Sequence, residues 1–317
     1  MRIAILGATS QIAKDLVLSF AEHSEHELML YARRPEAVTQ WLTQTNLAQR
    51  YEVADFAAFT TDEHFDAVLN FVGVGNPAQA AAMGASIFDV TLKYDELALW
   101  YVIKHPECRY LFLSSGAAYG SSFETPADAN SKAVVDINHL QSQDWYGVAK
   151  LHAECRHRSL AHLPIVDIRV FNYFSHTQDV EARFLITDIL RAIRNKTVLQ
   201  TSDENIVRDY LHPSDFYQLV CVMLAAPLET NTVVDCYSKA PIDKSNLLAT
   251  MQDKFGLRFE VTHDDSGINA TGRKLHYYSK NRWASEFGYV PAWSSLEGIL
   301  LEATGIMEQQ TPQAVSN

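Results

Sequence analysis

Tyr146 and Lys150 stand four residues apart in Tyr146-Gly147-Val148-Ala149-Lys150. On a helix that spacing puts both side chains on one face. A tyrosine normally ionises near pH 10, too high for proton exchange at neutrality. A neighbouring ammonium favours the phenolate and lowers that value. The expected chemistry is acid–base work, with Tyr146 exchanging the proton and Lys150 tuning it. Upstream, Leu111-Phe112-Leu113-Ser114-Ser115-Gly116-Ala117-Ala118-Tyr119-Gly120 reads as a buried strand that delivers hydroxyls at its carboxyl end. Open α/β sheets place their chemistry at that end.

A second set of residues points to a dinucleotide. Gly7-Ala8-Thr9-Ser10-Gln11-Ile12-Ala13 lies between the first strand and the first helix. Small residues there let backbone N–H groups approach a pyrophosphate at the helix N-terminus. Gly7 supplies the tight turn and Ala13 the close helix–sheet packing; Thr9, Ser10, Gln11 and Ile12 complete the expected cradle. Ser10 stands where glycine is usual. The second strand ends at Tyr31-Ala32-Arg33-Arg34. An NAD site usually places an acid about 20 residues after the glycine turn, to bind the ribose 2'-hydroxyl. Tyr31 falls near that place and two arginines follow. Arginine neutralises a 2'-phosphate with a planar fork of donors. NADP(H) is therefore the favoured cofactor, with NAD(H) the alternative. Asp55 reads either as an acceptor for the adenine amine or as a helix cap.

These residues need an alternating scaffold. Short apolar runs at Ile3–Leu6, Leu28–Ala32, Tyr51–Ala54, Ala67–Val72 and Tyr110–Leu113 read as strands. Gln11–Glu22, Glu36–Leu42 and Ala78–Lys104 read as helices between them. Strands separated by helices mean βαβ units and a parallel sheet covered on both faces. Beyond residue 172 the alternation loosens. Val180–Ala192, Asp215–Leu224 and Asn246–Phe255 read as helical and Val233–Tyr237 as a strand.

Composition narrows the function class. Apolar residues make up 47% and charged residues 20%, so a globular core is expected rather than disorder. Lys and Arg total 26 against 38 Asp and Glu, a net charge of -12. That argues against a general nucleic-acid binder, which needs a basic face. Cys108, Cys155, Cys221 and Cys236 lack close metal spacing and read as thiols of a reducing compartment. No apolar run reaches a bilayer span, and Met1-Arg2 leads at once into a strand rather than a signal peptide. A cytoplasmic protein without membrane contact is expected. The twelve histidines are scattered. His152 and His157 flank the helix after Lys150 without a completed ligand set, so no metal is expected.

The glycine turn at Gly7, the Ser114-Ser115 run ending in Tyr119-Gly120, Tyr146-x-x-x-Lys150 and Arg208-Asp209-Tyr210-Leu211-His212-Pro213-Ser214-Asp215 occur in one order. In that order and spacing the chain resembles the extended short-chain dehydrogenase/reductases, above all their nucleotide-sugar epimerase, dehydratase and reductase branch. The resemblance covers residues 1 to about 300. It implies that Ser115 hydrogen-bonds the reacting sugar oxygen, that Tyr146 exchanges its proton and that Lys150 also holds the nicotinamide ribose. It further implies that Asn172 contacts the substrate near its phosphates and that Arg208 binds the sugar-nucleotide pyrophosphate. By a looser match the resemblance makes Arg273 a candidate second phosphate ligand, with a solvated arginine the favoured alternative. Asp209, Tyr210 and His212 are expected to hold the loop. Tyr173-Phe174-Ser175-His176 stands where the family usually has Gly-Pro. Gly116 and Ala117 stand where dehydratases carry Asp-Glu, which disfavours dehydration.

The expectation is an α/β fold, a Rossmann-type doubly wound parallel sheet with a smaller C-terminal substrate-binding lobe. Residues 1–171 form the cofactor domain, with a return at 206–240. Residues 172–205 and 241–308 form the lobe, and 309–317 a flexible tail. The expected activity is an NADPH-dependent reductase of a nucleotide-linked 4-keto-6-deoxy sugar, acting as a homodimer. An NAD-dependent nucleotide-sugar 4-epimerase is the alternative. A catalytically silent cofactor-binding regulator is opposed by the intact Ser115, Tyr146 and Lys150.

Overall fold

Ile3, Ala4, Ile5 and Leu6 are fully buried, as an all-apolar strand in the middle of a sheet covered on both faces should be. The computed structural model describes residues 1–73, 80, 82–262 and 274–309. Its strands are β1 (Arg2–Leu6), β2 (Glu27–Tyr31), β3 (Glu52–Ala54), β4 (Ala67–Asn70), β5 (Arg109–Ser115), β6 (Ile165–Val170), β7 (Asn172–Tyr173), β8 (Val198–Ser202), β9 (Val207–Arg208), β10 (Tyr210–Leu211), β11 (Thr232–Asp235), β12 (Ile242–Asp243), β13 (Arg258–Thr262) and β14 (His276–Tyr277). The helices are α1 (Gln11–His23), α2 (Pro35–Gln44), α3 (Ser86–Lys104), α4 (Trp145–Ser159), α5 (Leu185–Asn195), α6 (Pro213–Leu224), α7 (Lys244–Phe255) and α8 (Ser295–Gln309).

Seven strands form one parallel sheet in the order β11-β6-β5-β4-β1-β2-β3. The order reverses between β1 and β4, and ligands of such sheets bind outside the carboxyl ends of the strands at that crevice. One face is packed by α1 and α6 through Leu16, Val17, Phe20, Phe216 and Leu219. The other is packed by α3 and α4 through Leu99, Tyr101, Val102 and Ala153. A third cluster joins α5, α7 and α8. No described helix is long and apolar enough to cross a membrane.

Several element bounds differ from the sequence expectation for visible reasons. The strand β6 was not expected, because Asp167 and Arg169 interrupt its apolar run. Both are paired in the interior, Asp167 with His157 and Arg158, Arg169 with Glu154. The expected helix 180–192 starts at Leu185. Thr187 sets that start: its hydroxyl oxygen accepts from the Phe184 N–H at 3.0 Å. The last helix before β5 is described from Ser86; residues 78, 79 and 81 of the expected 78–104 helix lie outside the described residues. So do Arg273 and residues 310–317 of the expected tail.

Candidate active site

The turn after β1 requires glycine. Gly7 has φ +85°, and a Cβ there would lie 2.8 Å from Val72 N and 2.9 Å from the Phe71 carbonyl carbon. The Gly7 and Ala8 N–H groups donate to Tyr31 O at 2.9 and 3.1 Å, and the Ser10 N–H to Gly7 O at 2.9 Å. Thr9 is exposed and Ser10 is the extended N-cap of α1. Ala13 is fully buried, and Ile12 packs on the core of that face. A helix N-terminus presents unsatisfied N–H groups, so this cradle fits a dinucleotide pyrophosphate. The Gln11 side chain reaches elsewhere: its Nε2 donates to Ser175 Oγ at 2.9 Å.

Beyond β2, Arg33 and Arg34 are exposed. Among the described residues, neither guanidinium has a hydrogen bond or ion pair. Tyr31 is fully buried, its ring edge-on to Phe59 at 5.2 Å. The residue near the place of an NAD-selecting acid thus points into the core. Asp55 caps the short turn Phe56–Ala58, accepting from the N–H groups of Ala57 and Ala58 at 2.8 and 3.2 Å.

Ser115 ends β5 beside Val170 of β6. Its Oγ accepts from the Ala117 N–H at 3.2 Å and lies 3.2 Å from the Tyr277 hydroxyl. The helix α4 presses onto the turn after β5, where a Cβ on Gly147 would lie 2.5 Å from Ala117 O. That close approach explains the glycine next to Tyr146. Burial raises the Tyr146 pKa, and the Ser115 hydroxyl opposes the rise. Lys150 is 2% exposed; its Nζ donates to Leu113 O at 2.7 Å and lies 4.3 Å from the Phe112 ring centroid. Burial lowers its pKa to about 8 against the pull of Asp95, Glu154 and Asp167. Burial thus works against the lowering of Tyr146 expected from Lys150, whose ammonium lies 6.0 Å from the ring centroid.

The same helix face continues inward. Glu154 accepts from Ser114 Oγ at 2.5 Å and from Arg169. His157 is fully buried between two carboxylates, with Nδ1 2.5 Å from Asp167 and Nε2 2.7 Å from Asp95. Burial opposes its charge, but the two acids prevail and raise its pKa to about 9. It is an ion-paired anchor of α4, not a metal ligand. One potential ligand group does occur among the described residues, His64, His105 and Glu107, with ligand atoms within 4.8 Å of one another. It lies in the loops before β4 and β5, at the opposite end of the strands from Ser115.

Around β7, β9 and β14, Asn172 Nδ2 donates to Asp209 O and Tyr277 O, each at 3.3 Å. Arg208 Nη1 donates to the carbonyls of Val207, Lys274 and Leu275. Among the described residues Arg208 and Lys274 have no ion pair. Lys274 is 8% exposed, its Nζ 4.5 Å from the Tyr277 ring centroid. Burial and the nearby Arg208 lower its pKa to about 8. Asp209 accepts from Ser238 N and Ser295 Oγ, and His212 Nε2 lies 2.9 Å from Glu302. Both hold the loop. In place of Gly-Pro, the hydroxyls of Tyr173, Ser175 and Thr177 donate to the buried carboxylate of Asp15 on α1.

Sequence reasoning missed Tyr277, Lys274, Glu154 and the Asp95–His157–Asp167 group. Glu154 was signalled by its place one turn beyond Lys150. The others meet the site only through the fold.

The family model described as the NAD dependent epimerase/dehydratase family matches residues 3–235. A comparison with curated protein sequences finds no match. Among solved structures, the chain is similar to a UDP-glucuronic acid 4-epimerase from Bacillus cereus in complex with NAD. The TM-score is 0.75 at 16% identity, covering 98% of this chain and 100% of that one. It is similar to a dTDP-glucose 4,6-dehydratase from Bacillus anthracis in complex with NAD, with TM-score 0.77, 16% identity and 97% of both chains covered. A UDP-glucose 4-epimerase from Thermotoga maritima with UDP-glucose gives TM-score 0.78 at 16% identity, covering 98% of this chain and 100% of that one.

Proposed function

The chain belongs to the NAD dependent epimerase/dehydratase family, and we propose that within it the chain is an NADPH-dependent reductase of a nucleotide-linked 4-keto-6-deoxy sugar. The observation that carries this reading is the end of β2. Two exposed arginines without partners among the described residues, and Tyr31 turned into the core, suit a 2'-phosphate rather than a bare ribose. Cells hold NADPH as a reductant, whereas an epimerase needs no net redox.

In this reading the Gly7–Ala13 turn holds the pyrophosphate, and Lys150 holds the ribose next to the nicotinamide. When bound, the cofactor supplies a hydride to the carbonyl carbon. Tyr146 gives its proton to the carbonyl oxygen and Ser115 hydrogen-bonds that oxygen. Burial keeps the Tyr146 phenol protonated, the state that reduction starts from. Segments 172–205 and 241–308 are read as the sugar-nucleotide lobe, with Arg208 and Asn172 toward the phosphates. Dehydration is disfavoured in this reading because Gly116 and Ala117 stand where dehydratases carry Asp-Glu, and a Cβ on Gly116 would crowd the Phe171 ring at 2.4 Å.

The 4-epimerase remains the second reading, because two of the similar enzymes are 4-epimerases, one of them crystallised with NAD. Four free thiols fit a cytoplasmic enzyme. The exposed Trp100 and Ile103 on α3 suit a homodimer built on α3 and α4; a strictly monomeric mass in light scattering would reject it.

Cofactor preference tests the reading. One charge-assisted contact to the 2'-phosphate contributes about 1.5–3 kcal/mol, or about ten- to a hundredfold for NADPH over NADH. Arg33→Ala should erase most of that preference, with Arg34 a partial substitute. A wild-type enzyme preferring NADH would overturn it.

A further inference from the structure

We propose that Tyr277 is a positioning residue of the reacting centre, holding the Ser115 hydroxyl so that its proton is directed to the substrate oxygen. This rests on the reading of Ser115 and Tyr146 given above. A serine hydroxyl has one proton and two lone pairs. The Ala117 N–H occupies one lone pair, and the Tyr277 hydroxyl, 3.2 Å away, is placed to occupy the other. The Ser115 proton is then left for a third partner, the substrate oxygen. Burial raises the Tyr277 pKa against the Ser115 and Ala117 hydrogen bonds, so its phenol keeps a proton to give. A chain of donors from Tyr277 through Ser115 to the carbonyl oxygen polarises each member in turn.

The ring is fixed from several sides. Phe123 and Phe171 pack against it at centroid distances of 4.8 and 5.2 Å. Asn172 holds its carbonyl, and the Lys274 ammonium lies 4.5 Å from the ring centroid. In the β9–β14 pair, Tyr277 is the direct register partner of Arg208. The element read as gripping the substrate phosphates therefore also carries the group that sets the Ser115 hydroxyl.

Tyr277→Phe keeps the ring and removes only the hydroxyl. Loss of one hydrogen bond predicts a fall in kcat of about tenfold, with KM for the sugar nucleotide and Kd for NADPH essentially unchanged. In a Ser115→Ala background the same substitution should cost nothing more. An unchanged kcat, a loss confined to KM, or an equal loss in the Ser115→Ala background would overturn the proposal. If the wild-type enzyme epimerises instead of reducing, the substrate reading fails while the same cycle, run on epimerisation, still tests Tyr277. A crystal structure of the holoenzyme with the Tyr277 hydroxyl beyond hydrogen-bond reach of Ser115 would overturn the proposal whatever the substrate.

Discussion

Lys150 and Tyr146 share a helix face but not a hydrogen bond: the ammonium lies 6.0 Å from the centroid of the Tyr146 ring and donates to Leu113 O at 2.7 Å. Burial therefore acts on the two groups separately, raising the phenol and lowering the lysine to about 8. The site holds a neutral acid beside a marginal cation. Protonating a ketone oxygen needs that acid already in place; oxidising an alcohol needs it removed first.

Tyr146→Phe leaves the ring and removes the transferable proton. General acid–base catalysis is typically worth about 10²–10⁴-fold, and kcat should fall by that order while NADPH binding persists. Near wild-type turnover would remove Tyr146 from the mechanism.

The lysine gives a pH signature. Above about 8 Lys150 loses its charge, so kcat/KM, which reports the free enzyme, should fall as pH rises through that value. Lys150→Arg, which stays protonated, should lack this alkaline limb whatever its absolute rate. An identical limb in the variant would assign it to another group.

Much of this was legible in the sequence because it is local. The apolar run Ile3–Leu6, the glycine at the turn and the four-residue spacing of Tyr146 and Lys150 each involve neighbours in the chain. What escaped was set by burial and long-range contact. Tyr277 meets Ser115 across 162 residues. His157 looked unpartnered because its two carboxylates come from α3 and β6, and β6 itself was hidden by the polar residues it pairs inside. The tuning of Tyr146 by Lys150 followed from spacing, but spacing carries no information about desolvation.

Arg208→Ala should weaken sugar-nucleotide affinity far more than NADPH affinity, since charge-assisted hydrogen bonds to phosphate are the strong ones. Arg208 also ties the carbonyls of Lys274 and Leu275. Equal losses for both ligands in titration calorimetry would make its role structural alone.

His157→Leu removes the fully buried cation between Asp95 and Asp167 and leaves them to Arg156 and Arg158; breaking a buried pair costs about 3–5 kcal/mol. A marked fall in Tm is expected. The His157 pKa rises from 6.5 to about 9 on folding. Its contribution is then complete below pH 6.5 and is lost as pH rises through about 9. A denaturation series over that window should show the loss in wild type and not in the variant. Equal pH slopes in both would detach it from His157.

The central claim is net reduction, and its most direct measurement is a stoichiometry. Dialysed protein is mixed with a panel of 4-keto-6-deoxy sugar nucleotides and a measured amount of NADPH, and nicotinamide absorbance is followed alongside product. The account predicts that cofactor is lost on dialysis and that NADPH is consumed in equal amount to the ketosugar reduced. Tightly retained NAD, with two sugar nucleotides interconverting and no net change in absorbance, would contradict it and put the epimerase in its place.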